Sequence, residues 1–170
     1  MAELTITGGT HPILKDDYAS EWMGIEVVAL DDGHATIRMT LRQEMLNGFG
    51  MAHGGMIFAF GDTAFALACN QTHPSPADEG NITVASGVDI NFLKPAFRGQ
   101  VLTAVANRRA STGRSGLYDI QIYAADPVAG TAPHTAPSPA ATVPGGLPTD
   151  ILPGELVAEF RGRSRTISKK

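Results

Sequence analysis

A single carboxylate stands in an otherwise apolar stretch of this chain. Asp62 is the only acidic or basic residue between Gly54 and Asn70, and the residues around it have the composition of a helix that is buried on every side. Removing a lone carboxylate from water is costly, and proteins accept that cost mainly where the group performs chemistry. The sequence therefore indicates Asp62 as a general base or a nucleophile.

A glycine-rich loop comes directly before this helix. Residues 47–55 read Asn-Gly-Phe-Gly-Met-Ala-His-Gly-Gly. Backbone amides at the start of a helix bind anions and stabilise a developing oxyanion. The loop therefore predicts an amide cradle for a negatively charged oxygen.

The spacing of the two features sets a condition on how they cooperate. Gly54 and Asp62 are separated by about 12 Å along one helix, whereas a base and an oxyanion cradle must both lie within about 3 Å of one reacting group. If they act together, Asp62 must meet the helix start of a second subunit. Two-fold symmetry would then create two such sites in each dimer.

Composition and motifs exclude several other classes of protein. The chain has 170 residues, a net charge of −4 and one cysteine, Cys69, which favours one globular domain without an internal disulfide and argues against nucleic-acid binding by bulk charge. It lacks a signal sequence, and its longest apolar stretch is too short for a membrane span, so we expect a cytoplasmic protein. The histidines have no metal-ligand spacing, and no serine-hydrolase, Walker or dinucleotide motif is complete, so no metal or cofactor is expected.

Hydrophobic periodicity predicts an α+β protein. A short helix is expected over 13–23, strands over 25–30 and 34–41, and the long helix after the glycine loop, ending before residues 72–76. Four more strands follow over 82–92, 101–110, 117–125 and 155–163, and their short turns favour antiparallel pairing. Burying the helix requires a curved antiparallel sheet wrapped around it.

The stretch from 126 to 154 departs from this pattern. It holds seven prolines among alanine, glycine and threonine, a composition that cannot form a core. We expect an exposed loop inserted in the last hairpin, with a lid over the site as an alternative role. The chain is thus divided into a tail and short helix over 1–22 and one domain over 23–170 that carries this insertion.

Together these motifs resemble hotdog-fold acyl-CoA thioesterases, most closely the phenylacetate-pathway (PaaI-type) group. The resemblance is carried by Asn47-x5-His53-Gly54-Gly55 with Asp62 nine residues after the histidine, by Asn70 at the helix end, and by the sequences at 91–95 and 116–120. It runs from about Met23 to Arg165, excluding the insertion. It implies a hotdog fold whose units pair as a homodimer or a dimer of dimers, and coenzyme A as part of the substrate.

The resemblance also implies roles for individual residues. Asp62 takes the place of the general base or nucleophile, and the Gly55 amide, with His53 or Gly54 nearby, polarises the thioester carbonyl. Asn47 would hold the attacking water or the acyl end. Further substrate contacts are assigned to Ser86 on the strand after the helix and, for the phosphates of coenzyme A, to the basic residues Lys94, Arg98 and Arg114.

Other interpretations of the same residues remain open. His53 and Asn47 could serve only to shape the loop, and Gly54 and Gly55 could serve only close helix packing. Phe58, Phe60 and Phe65 could line an aromatic acyl pocket or pack in the core. The alternative functions are a hotdog hydratase or dehydratase, and a non-catalytic acyl-CoA-binding regulator.

Overall fold

The computed structural model describes residues 10–76, 78–127 and 154–169. Within them, six strands and two α-helices form the fold, joined in part by short 3-10 turns at Pro12–Leu14 and Gln43–Met45. The helices are α1 (Tyr18–Met23) and α2 (Gly54–Cys69). The strands are β1 (Glu26–Asp31), β2 (His34–Thr40), β3 (Asn81–Phe92), β4 (Val101–Thr112), β5 (Ser115–Ala125) and β6 (Glu155–Ser168).

All six strands lie in one antiparallel sheet, in the order β1-β2-β4-β5-β6-β3. β1 and β2 form a hairpin, as do β4 and β5, because Gly33 and Gly113 adopt the positive φ angles of 72° and 55° that tight turns require. β3 instead crosses to the far edge and pairs with β6, the last strand. The predicted order of two strands, a long helix and four strands is confirmed.

The sheet curves around α2, whose side chains form the centre of the core. Phe60 and Phe65 are fully buried, and the Phe65 ring packs against Tyr118 of β5 and Phe160 of β6. Gly61 allows this close approach, because a Cβ there would lie 3.0 Å from the Phe160 ring and 3.1 Å from Ile122. Burial of these aromatic and aliphatic groups fixes the helix on the sheet.

The residues before β1 pack against the core near the end of α2. His11 is only 1% exposed although it lies in the segment predicted as tail. Its Nε2 lies 3.1 Å from the carbonyl oxygen of Asn70, and its Nδ1 accepts a hydrogen bond from the Ile13 amide. Leu14, Met23 and Ile25 continue the packing. The predicted helix over 13–23 is shorter in the structure and begins at Tyr18.

The predicted insertion lies almost entirely outside the described residues. β5 ends at Ala125 and β6 begins at Glu155, and the two strands pair up to Ala124 and Glu155. The insertion therefore joins two strand ends that are already adjacent. The assignment of 126–154 as a loop stays a prediction.

Candidate active site

The start of α2 is held by the loop before it and by β3. The His53 amide donates to the Met45 carbonyl, and the Ala52 amide donates to the Ala96 carbonyl. Gly54 lies against the Phe92 ring, where a Cβ would come within 3.2 Å of the ring. The first turn of the helix is thus fixed between the glycine loop and the end of β3.

The imidazole of His53 caps this helix. Its Nδ1 accepts a 2.9 Å hydrogen bond from the Gly55 amide. In this contact Nδ1 is the acceptor and the amide is the donor. The amide predicted to polarise a carbonyl is therefore occupied by a side chain from its own loop. A ligand oxygen must displace the His53 ring to reach it.

Asn47 organises the loop itself. Its Oδ1 accepts from the amides of Phe49, at 2.9 Å, and Met51, at 3.3 Å. This supports a loop-shaping role for its oxygen. Its Nδ2 donates to no acceptor within the described part of the chain, and this group is available to a water or an acyl oxygen.

Asp62 lies in the middle of α2, one residue after the close contact of Gly61 with the sheet. Its side chain is half-buried, and burial raises the pKa of its carboxyl above the ordinary value. No hydrogen-bond donor contacts this carboxylate among the described residues. A carboxylate with a raised pKa and with oxygens free of hydrogen bonds is suited to accept a proton as a general base.

Within one chain Asp62 and the helix start do not meet. Both lie on the continuous helix α2, which begins at Gly54, so about 12 Å of helix separates them. This is the separation expected from the sequence. A thioester cannot contact both groups of one subunit at bonding distance.

The remaining predicted residues lie in different places. Ser86 lies at a β-bulge between Ala85 and Gly87, and its Oγ donates to the Arg163 carbonyl at 3.0 Å. Lys94 forms an ion pair with Glu155, whereas Arg98 has no acidic partner among the described residues. Both follow β3, near the start of α2.

Arg114 lies at the opposite end of the sheet. It is in the turn between β4 and β5, and its Nε donates to the Thr166 carbonyl at 3.0 Å. The length of β4 places it roughly 35 Å from the loop that holds Lys94 and Arg98. The three cations do not form one cluster within a chain.

Two aromatic side chains near the helix start, Phe49 and Phe92, were not assigned to a pocket from the sequence. Phe49 is 86% exposed and Phe92 is 53% exposed. Phe58, one turn into α2, is also exposed, whereas Phe60 and Phe65 belong to the core. Alternation along β3 gave only a weak signal for Phe92, because an exposed aromatic at a strand end looks like any other strand residue.

Comparison with known proteins identifies the family. A model of the thioesterase superfamily matches residues 49–131. The acyl-coenzyme A thioesterase PaaI of Escherichia coli (strain K12) is 40% identical over 112 residues, which cover 66% of this chain and 75% of that protein. The chain belongs to the thioesterase superfamily.

Solved structures of superfamily members agree with this assignment. The E. coli PaaI protein from the phenylacetic acid degradation operon has a TM-score of 0.70 at 32% identity, with 95% of this chain and 93% of that chain covered. A mutant of the phenylacetic acid degradation protein PaaI from Thermus thermophilus has a TM-score of 0.64 at 25% identity, with 88% and 98% covered. The predicted resemblance, the hotdog fold and the assignment as a thioester hydrolase are confirmed.

None of the helices in the described residues is long and apolar enough to cross a membrane. The same residues contain no group of three or more histidine, cysteine, aspartate or glutamate side chains placed to hold a metal ion. A hollow of about 370 Å³ lined by Asp89, Asp119 and Arg161 lies on the outer face of the sheet, away from α2 and the thioesterase site.

Proposed function

We propose that this thioesterase hydrolyses an arylacetyl-CoA or a related aromatic acyl-CoA to the free acid and coenzyme A, in the cytoplasm. The E. coli relative is named as an acyl-coenzyme A thioesterase and as a protein of the phenylacetic acid degradation operon. These descriptions support coenzyme A as the thiol part of the substrate and phenylacetate degradation as the pathway. The exposed rings of Phe49, Phe58 and Phe92 around the start of α2 support an aromatic acyl group. No cofactor takes part in the proposed reaction.

The observation that carries the proposal is the half-buried Asp62 carboxylate, which has a raised pKa and no donor from the described residues of its own chain. In the reaction we propose, Asp62 removes a proton from water, and the water oxygen attacks the thioester carbonyl carbon. The C–S bond then breaks, and the departing thiolate takes the proton from Asp62. Direct attack by the carboxylate is the alternative: it expels the thiolate and forms a mixed anhydride between Asp62 and the acyl group. If water then opens the anhydride at the Asp62 carbonyl carbon, single turnover in ¹⁸O-water leaves the label in Asp62, which the general-base route does not do.

The charge on the carbonyl oxygen is stabilised at the start of α2. The Gly55 amide donates to this oxygen in place of His53 Nδ1, and the Gly54 amide and the displaced His53 ring lie beside it. Asn47 Nδ2 orients the water or the acyl end, and Ser86 contacts the substrate from β3. An oxyanion is a stronger acceptor than a neutral ring nitrogen, so the exchange favours the transition state over the free enzyme.

The site is completed by a second copy of the chain. Because α2 separates Asp62 from Gly55, we propose that Asp62 of one subunit faces the α2 start of its partner in a homodimer, and that two dimers associate as a tetramer. The free edge of β3 supplies the backbone groups for strand pairing between subunits. Coenzyme A phosphates are held by Arg98 and Lys94 near the helix start, with Arg114 brought from elsewhere in the assembly.

A hydrolysis assay with a panel of acyl-CoAs tests this proposal. We expect an arylacetyl-CoA to give the highest kcat/KM and Asp62→Asn to lower kcat by about 10²–10⁴-fold. Asp16→Asn is the matched control, because Asp16 is exposed and its positive φ of 60° suits asparagine. Normal turnover by a folded Asp62→Asn dimer would refute the assignment of Asp62.

A further inference from the structure

The free edge of β3 is divided into two parts. In an antiparallel strand the N–H and C=O of one residue point to the same side, and successive residues alternate. β3 has β6 on one side and no described strand on the other. Every second residue of β3 therefore presents both backbone groups to the open side.

Asn70 occupies the open side at Thr83. Its Oδ1 accepts from the Thr83 amide at 2.9 Å, and its Nδ2 donates to the Thr83 carbonyl at 2.9 Å. Nδ2 also donates to the Ala66 carbonyl at 2.9 Å. The amide of Asn70 thus pairs with Thr83 as a neighbouring strand would, and both of its donor hydrogens are used.

The strand is also occupied before Thr83. The Asn81 amide, two residues earlier and on the same open side, donates to the Asp78 carbonyl at 2.8 Å. Asn70 is itself held in place, because its backbone amide donates to Ala66 and its carbonyl contacts His11 Nε2. The edge is therefore closed from within the chain at Asn81 and Thr83, and Ala85 is the one residue of this side that separates Thr83 from the bulge.

The part of β3 after the bulge is open. Leu93 donates to Val157 of β6, so alternation turns the backbone groups of Phe92, Ile90 and Val88 away from β6. No described strand lies next to them. They form a row of three residues with unpaired backbone groups on the open side.

We propose that Asn70 is a positioning residue that acts as an edge stop: by pairing with Thr83, it keeps the pairing of β3 with a second copy of this chain from extending to Thr83, and the bulge at Ser86 leaves Val88–Phe92 as the continuous open row. This inference rests on the proposed shared site. A two-fold pairing that uses all three open residues places Ile90 opposite Ile90 of the partner subunit. Val88 then lies opposite the partner's Phe92.

This register brings the two halves of the site to the same level. Gly54 lies against Phe92, and Cys69 Sγ lies 3.9 Å from the Thr83 carbonyl, so α2 runs alongside β3. Asp62 is about half-way between these two points and lies at the level of Val88. Val88 pairs with the partner's Phe92, which carries the partner's Gly54. A slip toward Thr83 would separate Asp62 from the partner's helix start.

Disulfide trapping tests the register directly. An Ile90→Cys variant should form a covalent dimer under mild oxidation, because facing residues in this register have Cα atoms about 5.5 Å apart. Asp89→Cys is the matched control and should remain uncrosslinked, because its two copies are offset along the strands. Burial raises the pKa of the native Cys69 thiol to about 12, so it does not compete.

Replacing Asn70 tests the stop. In Asn70→Ala the hydrogen of the Thr83 amide should exchange with solvent at least about 10-fold faster than in wild type and in the control Asn81→Ala. In the Ile90→Cys background Asn70→Ala should lower the yield of covalent dimer several-fold, and in the native background it should lower kcat with little change in KM. Asn70→Asp should resemble Asn70→Ala at pH 8 and recover toward wild type only below about pH 4, the ordinary pKa of an aspartic acid, where its protonated acid again presents one donor and one acceptor to Thr83.

The outcomes separate this inference from the proposed function. Rapid exchange of the Thr83 amide in wild type, or an unchanged covalent yield and kcat in Asn70→Ala, would overturn the edge stop. Failure of Ile90→Cys to crosslink within an active dimer would overturn the register. A wild-type protein that hydrolyses no acyl-CoA, while Ile90→Cys still crosslinks in an Asn70-dependent way, would overturn the proposed function and leave the edge stop supported.

Discussion

Mixing two inactive variants measures whether the site is shared between subunits. Asp62→Asn removes the base, and Gly55→Pro removes the amide that would donate to the oxyanion. Proline is tolerated in the first turn of a helix, where the amide has no partner within the helix. Gly55→Ala is the matched control, because it also adds a Cβ near His53 Nδ1, where the distance would be 3.1 Å, but keeps the amide.

The expected size of the recovery follows from the two-fold arrangement. In a heterodimer one site contains both substitutions and is inactive, while the other combines the intact Asp62 of one chain with the intact Gly55 of its partner. Random mixing in equal amounts makes half of the dimers mixed, and each has one of two sites intact, so activity should return to about one quarter of wild type. Each variant alone should fall by about 10²-fold or more.

The assay is acyl-CoA hydrolysis after the two chains are mixed, unfolded together and refolded, with differently tagged chains used to count mixed dimers. Gly55→Ala should retain most of the wild-type kcat, and mixing it with Asp62→Asn should give nearly the activity that mixing wild-type chains with Asp62→Asn gives. Mixed dimers present at the random proportion but without recovered activity would refute the shared site and place both groups in one chain.

Three further predictions concern pH, the insertion and salt. Because burial raises the pKa of Asp62 in the folded protein, ionisation of Asp62 costs stability as pH rises through that pKa. Asp62→Asn should therefore have a higher Tm than wild type at pH 8, and the difference should disappear below about pH 4, the ordinary value of the carboxyl. Replacing residues 127–153 by an Asn-Gly turn should change the free energy of unfolding by no more than about 1–2 kcal/mol, because loop closure depends weakly on length; loss of cooperative unfolding by denaturant would contradict this. KM for an acyl-CoA should rise with ionic strength, and it should rise further in the double variant Arg98→Ala/Arg114→Ala, while kcat stays constant. KM for a thioester that lacks the nucleotide should show neither change.

Local patterns in the sequence were enough to predict most of the elements and to select Asp62 and the glycine loop as candidates for the site. Alternation and apolar composition located β2, α2 and the later strands, since these signals depend on neighbouring residues. Asp62 stood out because no other charge shares its helix. The glycine loop stood out because few other structures need glycines at that spacing.

Contacts between distant residues were not accessible in the same way. Periodicity does not reveal that β3 crosses to pair with β6, and the position of Arg114 at the far end of the sheet follows only from the strand order. The hydrogen bond from the Gly55 amide to His53 depends on a side-chain rotamer that no spacing rule specifies. The pairing of Asn70 with Thr83 joins residues from two elements whose relative position the sequence leaves open.

These contacts explain how a stable chain can keep an incomplete site. At the start of α2 the Gly55 amide donates to His53, and at its end the Ala66 carbonyl accepts from Asn70. Among the described residues, the Asp62 carboxylate and the outer edge of β3 after the bulge are without partners, as is Asn47 Nδ2. Unpaired backbone groups that become buried are costly, so a second copy that covers this edge must pair with it. On the proposed register, strand pairing satisfies the edge and brings the partner's helix start to the level of the Asp62 carboxylate. On the proposed register, assembly and formation of the active site are therefore one event.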